Sequence, residues 1–329
     1  MKKISIHYLS DGPKNTGGYF HENFWFEKIS DFYSTIDYEV VSFELRPEKY
    51  HSGFKNIASW WISLFRNSNA DLVLVPARNA LPVLIRNLFS KNKVWVVFHS
   101  YNNEELKKNR LKAIYHVLLF GLIRNSSICK HAKIVTVCDT WKVFFVNKLQ
   151  ISTKKIIKLP NLFDSKYLQN YSQPIKSKSI HLGMWSAKID PMVYEIAAKL
   201  SARGYNCFFT SPDDLIAFGA YGYSIYFCDS PNEYYQKVAD SLYTLSFSKI
   251  PEGWSRVAHE SFLLGTPVIG SDNWGQGELI REANGFIAET TAEVLEIIEL
   301  KPSWKSNTNF KEKYEENNAS VILQAILSQ

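Results

Sequence analysis

The sequence predicts an α/β chain built from two doubly wound parallel sheets, one after the other. Three observations carry this. Short apolar runs alternate with helix-length amphipathic stretches along the 329 residues. The alternation stops at a polar stretch, 161–178, and then restarts. Formal charge divides at the same place, with 24 Lys and Arg against 12 Asp and Glu in residues 1–160 but 14 against 20 in 161–329. The length exceeds one ordinary domain. With 46% apolar and 21% charged residues the chain can bury a proper core.

Taken in order, residues 4–9, 38–43, 72–75, 94–98 and 134–137 are near-continuous apolar runs of strand length. Such runs are typical of parallel strands covered on both faces. Between them, 57–65 and 106–123 carry helical periodicity, and 155–159 adds a last strand before Pro160-Asn161. The stretch 161–178 contains Tyr-Ser-Gln-Pro and Lys-Ser-Lys-Ser and reads as a linker. Strands then recur at 180–184, 207–210, 224–227, 242–247 and 268–270. Helices lie between them over 193–202, from Asn232 and from Ser255. Strand–helix alternation of this kind gives two Rossmann-like domains, 1–160 and 179–308, expected to face each other across a cleft. The tail, 309–329, ends in a helix over 319–327 that could pack back on the N-terminal domain.

Composition narrows the class. The opening MKKISIHYLS has no long apolar run and no small-residue cleavage site, so it reads as a first strand. The longest apolar stretch, 117–123, is far short of the roughly 20 residues that cross a bilayer. Cys129, Cys138, Cys207 and Cys228 show neither metal-type pairing nor a secreted framework, and a reducing cytoplasm suits them. No Gly-x-Gly-x-x-Gly follows the first strand, which disfavours a dinucleotide dehydrogenase. From Lys107 to Lys133 seven cations surround an apolar middle. A solvated helix face explains them, and so does contact of 105–133 with an anionic membrane surface at the inner face. No nucleic-acid reader motif accompanies this charge, so no nucleic-acid partner is expected.

The segment Pro251-Glu-Gly-Trp-Ser-Arg-Val-Ala-His-Glu260 concentrates the chemistry. A strand ends near Ser248, and a turn at Gly253 opens a helix whose first amides, from Gly253, Trp254, Ser255 and Arg256, suit a phosphate. Glu252 precedes this helix start and Glu260 lies two turns in. One carboxylate can take sugar hydroxyls and the other a ribose diol, in the crevice where open α/β sheets bind ligands. A solvated helix start with favourable dipole interactions is the plainer reading. His259 points away from its neighbour Glu260 and reads as packing. Trp185 or Trp254 could stack on a ring.

These residues resemble the retaining glycosyltransferases of GT-B fold, the group of sucrose and glycogen synthases and bacterial mannosyltransferases. Its signature is two glutamates separated by seven residues, the spacing of Glu252 and Glu260. Gly265-Thr-Pro-Val-Ile-Gly-Ser271 and Gly275-Gln-Gly-Glu278-Leu-Ile look like the group's next strand and glycine-containing loop, with Glu278 either fixing that loop or touching ligand. Fainter likenesses span most of the chain. Asn15-Thr-Gly-Gly18 looks like the loop that approaches the donor phosphates through Gly17 and Gly18, or else a plain strand-to-helix turn. Ile134-Val-Thr-Val-Cys-Asp139 and Leu159-Pro-Asn-Leu-Phe-Asp164 resemble the end of the first domain and the linker entry. Val97-Phe-His99 places a histidine where related enzymes face the reacting sugar.

The resemblance implies transfer of a sugar from a UDP- or GDP-linked donor to a glycan or lipid-linked acceptor, as in polysaccharide biosynthesis, with retention. Glu252 and His99 would be catalytic. Glu260, Lys188 and the 253–256 turn would hold the donor, and the first domain the acceptor. The displaced phosphate would take the acceptor proton. No cofactor is implied, and no metal, since the chain lacks an Asp-x-Asp pair. One departure stands out: the group's diphosphate-binding Arg falls on Met184, and Lys188 is one residue short of the usual spacing. Either Lys188 acts with Arg256 in a rearranged clamp, or donor binding is weakened. Two alternatives follow, a catalytically silent nucleotide-sugar-binding protein and a nucleotide-sugar epimerase of the same architecture.

Overall fold

The structure, a computed structural model, describes residues 2–10, 17–45, 54–88, 90, 92–101, 103–125, 129–164, 178–211, 222–305 and 307–327. The chain divides into two compact units, Met1–Pro160 with Ala319–Gln329, and Asn161–Asn318. Asn15, Thr16 and most of the linker fall outside the described residues.

In the first unit, β1 (Lys2–Leu9), β2 (Tyr38–Leu45), β3 (Leu72–Pro76), β4 (Lys93–Phe98), β5 (Ala132–Thr136) and β6 (Ile156–Lys158) form one parallel sheet in the order β2-β1-β3-β4-β5-β6. Every residue of β3 is buried, and β4 exposes only Lys93, as expected of central strands covered on both faces. The edge strand β2 leaves Val41 and Phe43 exposed. The chain runs outward from β1 to β2 and then returns to the other side of β1, so the order reverses between β1 and β3.

Helix α1 (Gly17–Thr35) buries His21, Glu22, Trp25, Phe26, Ile29 and Tyr33 on one stripe, and the Trp25 indole donates to the carbonyl of Pro160 at 3.0 Å. Helices α2 (Phe54–Asn67) and α3 (Ala80–Asn87) pack together. The helix expected over 106–123 is two: α4 (Asn103–Lys108) and α5 (Arg110–Arg124). Asn109 breaks it, taking extended backbone and accepting the amide of Lys112 as an N-cap. Buried Lys155 closes the far end of α5 by donating to the carbonyls of Ile123 and Cys129 at 2.6 and 2.8 Å. Helix α6 (Asp139–Asn147) leads to β6.

The second unit repeats the plan. Strands β7 (Ser179–Met184), β8 (Asn206–Ser211), β9 (Tyr223–Phe227), β10 (Tyr243–Ser246), β11 (Val268–Gly270) and β12 (Phe286–Ile287) form a parallel sheet ordered β12-β11-β10-β7-β8-β9. Its reversal lies between β7 and β10. The helices are α7 (Met192–Ser201), α8 (Pro231–Ala239), α9 (Arg256–Leu263), α10 (Trp274–Glu282), α11 (Thr291–Leu300) and α12 (Thr308–Lys313). Ile180, Leu182, Ile196, Phe209, Leu245 and Ile298 fill the core between sheet and helices.

The unit boundaries follow from the chain's own pairings. Phe163 bonds to Tyr314 and Glu316 through the backbone, at 2.9 and 3.0 Å, so both 161–164 and the residues around 314 belong to the second unit. Among the described residues after Asn161, α13 (Ala319–Leu327) joins the first, packing on α1.

Candidate functional site

In the second unit the reversal between β7 and β10 builds the site. Gly183 sits at φ +96°, and a Cβ there would lie 3.3 Å from the Leu245 carbonyl, so glycine lets β7 bend closely past β10. The loop after β7 is then laced to the loop after β10. Asp190 N–H donates to Phe247 at 3.3 Å, Lys249 N–H to Lys188 at 3.0 Å, and Ile189 bridges Ser248. This brings the Lys188 ammonium to 3.5 Å from the Glu252 carboxylate, both in contact with solvent. The Glu252 carbonyl in turn accepts the amide of Gly275 from α10, at 3.2 Å. Open α/β sheets bind ligands at this kind of strand-order reversal.

Helix α9 begins beside Glu252. Ser255 is its N-cap, accepting the Ala258 amide at 3.3 Å. The first amides of a helix have no partner within it, and its dipole is positive there. Arg256, the first residue of the helix, pairs within it. Its guanidinium bonds Glu260 at 3.0 Å and lies over the Phe163 ring at 5.1 Å. Glu260 is nearly buried and accepts the Tyr234 hydroxyl on its other oxygen, at 2.9 Å. Burial first, and the Glu260 charge second, hold the Tyr234 hydroxyl well above its ordinary pKa. A carboxylate has about four lone-pair positions, so Glu260 can still accept further donors.

Two sequence expectations change here. Trp254 is not a stacking platform: it is 7% exposed, and its indole donates to His259 Nδ1 at 2.8 Å and packs against Tyr314. A side chain folded inward to anchor its own helix has no face left for a sugar, so only the Trp254 backbone stays at the helix start. Gly275–Glu278 belongs to the opening of α10 rather than a loop. Gln276 there donates to the Ser246 carbonyl, and Gly277 leaves no room for a Cβ, which would lie 2.7 Å from the Asp272 carbonyl carbon. The segment therefore locks the end of β10; Glu278 is half-buried on it.

His259 is packing, as its sequence position suggests. It is fully buried among Phe163, Phe310 and Tyr314, with centroids 4.4 to 4.9 Å away. Burial holds it neutral, well below its ordinary pKa, with Arg256 adding to the effect. The indole bond fixes Nδ1 as the acceptor. Trp185 likewise packs against Tyr194, Phe209 and Tyr223 on the core.

The first unit assembles a second group at the ends of β1 and β4. Gly17 and Gly18 open α1, and a Cβ on Gly18 would come within 3.2 Å of the His99 ring. Next to them is a residue the sequence did not single out. Glu22 is 4% exposed and accepts Tyr8 Oη at 2.7 Å, Ser10 Oγ at 3.3 Å and His99 Nε2 at 2.8 Å. His21 meets His99 edge to face and bonds the Leu159 carbonyl at 2.7 Å. Nε2–H is donated to Glu22, and the side chain that carries the other ring nitrogen, Nδ1, is one-third exposed. The available signal was a carboxylate on the buried stripe of α1, which only a partner could justify.

The structure therefore gathers Lys188, Glu252, Gly253, Ser255, Arg256 and Glu260 in one unit, and Gly17, Gly18 and His99 with Glu22 in the other. Among the described residues no cluster of three His, Cys, Asp or Glu side chains could hold a metal. No described helix is long and apolar enough to cross a membrane.

Comparison with known proteins speaks to the fold. No protein-family model matches the chain, and no curated protein matches it. Among solved structures, HepE from Anabaena in complex with UDP and glucose aligns with a TM-score of 0.70 at 13% identity, over 99% of this chain and 99% of that one. Sucrose-phosphate synthase from Thermosynechococcus elongatus gives 0.61 at 12% identity, over 98% and 94%. UDP-GlcNAc 2-epimerase from Methanocaldococcus jannaschii gives 0.60 at 13%, over 99% and 100%. With two six-stranded parallel sheets in series among its described residues, the chain has the GT-B fold.

Proposed function

We propose that the chain is a retaining glycosyltransferase that moves a sugar from a nucleotide donor to a glycan or lipid-linked acceptor. The observation that carries this is the meeting of Lys188 and Glu252 at the β7/β10 reversal, beside the start of α9. The donor diphosphate would lie on the α9 amides and draw Lys188 to itself. Freed of its cation, Glu252 would accept hydroxyls of the transferred sugar, and Glu260, steadied by Arg256 and Tyr234, the ribose. As the bond from the anomeric carbon to the diphosphate oxygen breaks, charge grows on that oxygen, which the α9 amides and the Lys188 ammonium would stabilise. The acceptor oxygen bonds the same carbon, and its proton passes to the departing diphosphate. In the first unit, His99 is oriented by Glu22 and would act on the reacting sugar. Neither a metal nor a cofactor is required by this scheme. HepE was solved with UDP and glucose, and the epimerase is named for UDP-GlcNAc, which puts uridine donors ahead of guanosine ones.

Release of UDP or GDP from a panel of nucleotide sugars, with and without glycan acceptors, tests the proposal. Acceptor-dependent release that Glu252→Ala abolishes, at unchanged melting temperature, is expected. The likeness to an epimerase gives a second reading, under which the donor sugar is converted with no acceptor and no nucleotide released. Tight donor binding without either outcome would leave a silent binding protein, the reading Met184 suggests.

A further inference from the structure

Helix α3 of the first unit, with six of its eight residues buried, lies against both α2 and α5. The α2 helix packs on α3 and α3 on α5, and the rings of Trp61 and Tyr115 meet with centroids 6.1 Å apart. The Tyr115 hydroxyl accepts the Leu81 amide at 3.1 Å and donates to the Ala77 carbonyl at 2.7 Å, pinning α5 to the start of α3. These three helices contain Lys55, Arg66, Arg86, Arg110, Lys112 and Arg124 and not one Asp or Glu. The adjoining α4 balances Glu104 and Glu105 with Lys107 and Lys108. On α2 and α5 large apolar side chains stand in solvent. Leu111 is 81% exposed and Val117 71%, with Ile114, Leu118, Ile57 and Ile62 about half exposed.

Few partners suit both features at once. A free polyanion would meet the cations but gain nothing from Leu111 or Val117. A second copy of the chain, docked about a two-fold axis, would cover the apolar side chains but oppose two faces without an anion. A bilayer with anionic headgroups takes both: apolar side chains enter the headgroup–acyl boundary, and cations on long stems remain among the phosphates. We infer that α2 and α5 form a docking face for an anionic lipid surface. This holds whether or not the chain transfers sugar, so its test is separate from that of the reaction.

The test is co-sedimentation of the full chain with vesicles of phosphatidylcholine, alone or with about a third phosphatidylglycerol. Binding to the mixed vesicles is expected, at least about tenfold tighter than to the neutral ones. Leu111→Ser with Val117→Ser, at exposed positions that leave the fold intact by circular dichroism, should weaken that binding about tenfold or more. The same pair should leave retention on heparin unchanged. The inference is overturned by no binding to mixed vesicles, or by binding that the pair of changes does not alter. Retention on heparin without vesicle binding would point to a polyanion instead. A dimer that the pair dissolves would point to a second copy.

Discussion

Acid stability offers a quantitative test of how the second unit is built. His181 lies in β7, fully buried, with its two ring nitrogens 3.2 and 3.1 Å from the hydroxyls of Thr244 and Thr210. Burial lowers its pKa from 6.5 to about 3, against a small opposing effect from the Gly183 backbone. The native ring therefore stays neutral where the unfolded one takes a proton. Stability from this group is complete above pH 6.5 and is lost as pH falls toward 3. At about 1.4 kcal/mol per unit, the whole shift amounts to roughly 5 kcal/mol, of which about 2 is lost by pH 5. His181→Gln keeps a donor and an acceptor for the two threonines but cannot titrate. Urea unfolding at pH 7.5 and pH 5, read by pulsed hydrogen exchange of β7 and β10 peptides, isolates this unit. The wild type should lose about 2 kcal/mol more than the variant between the two conditions. Equal losses would refute the argument that His181 is held neutral. His259 acts in the same direction, so acid also weakens the anchor of the site helix.

Two further changes probe the sites. Glu22→Ala should lower kcat for sugar transfer about a hundredfold by releasing His99, while Glu22→Gln, still able to accept from the ring, stays within about tenfold; steady-state kinetics checks both, and equal effects would deny Glu22 a positioning role. Arg256→Ala leaves the nearly buried Glu260 without its cation and should cost roughly 2–3 kcal/mol in urea unfolding. Adding Glu260→Gln should restore part of that loss, because the uncompensated charge is then gone.

The strands were legible where the sequence is continuously apolar, as in β3 and β4, because central parallel strands must be buried on both faces. Short or polar elements were not. Strand β12 has two residues, too few for any periodicity, and α11 went unread although Thr290 and Glu293 form a capping box that the sequence displays. The break at Asn109 was hidden by helical periodicity on either side of it. At the candidate site, the spacing of Glu252 and Glu260 pointed to the turn that opens α9. It could not show that Lys188 pairs with Glu252, since that depends on lacing between two loops some sixty residues apart. Trp254 looked like a ligand platform because aromatic rings serve in cores and sugar sites alike, and only its bond to His259 decides between them. Glu22 gave no motif at all; its role comes from β1 and β4 arriving at the same end of the sheet.

Hydrogen exchange of the intact chain, titrated with UDP and then with UDP-glucose, tests the donor site most directly. Added ligand should slow exchange in peptides spanning 183–190 and 250–262, and Lys188→Ala should weaken that protection. Protection confined to other parts of the second unit, or protection that Lys188→Ala leaves unchanged, would contradict a donor site at the β7/β10 reversal.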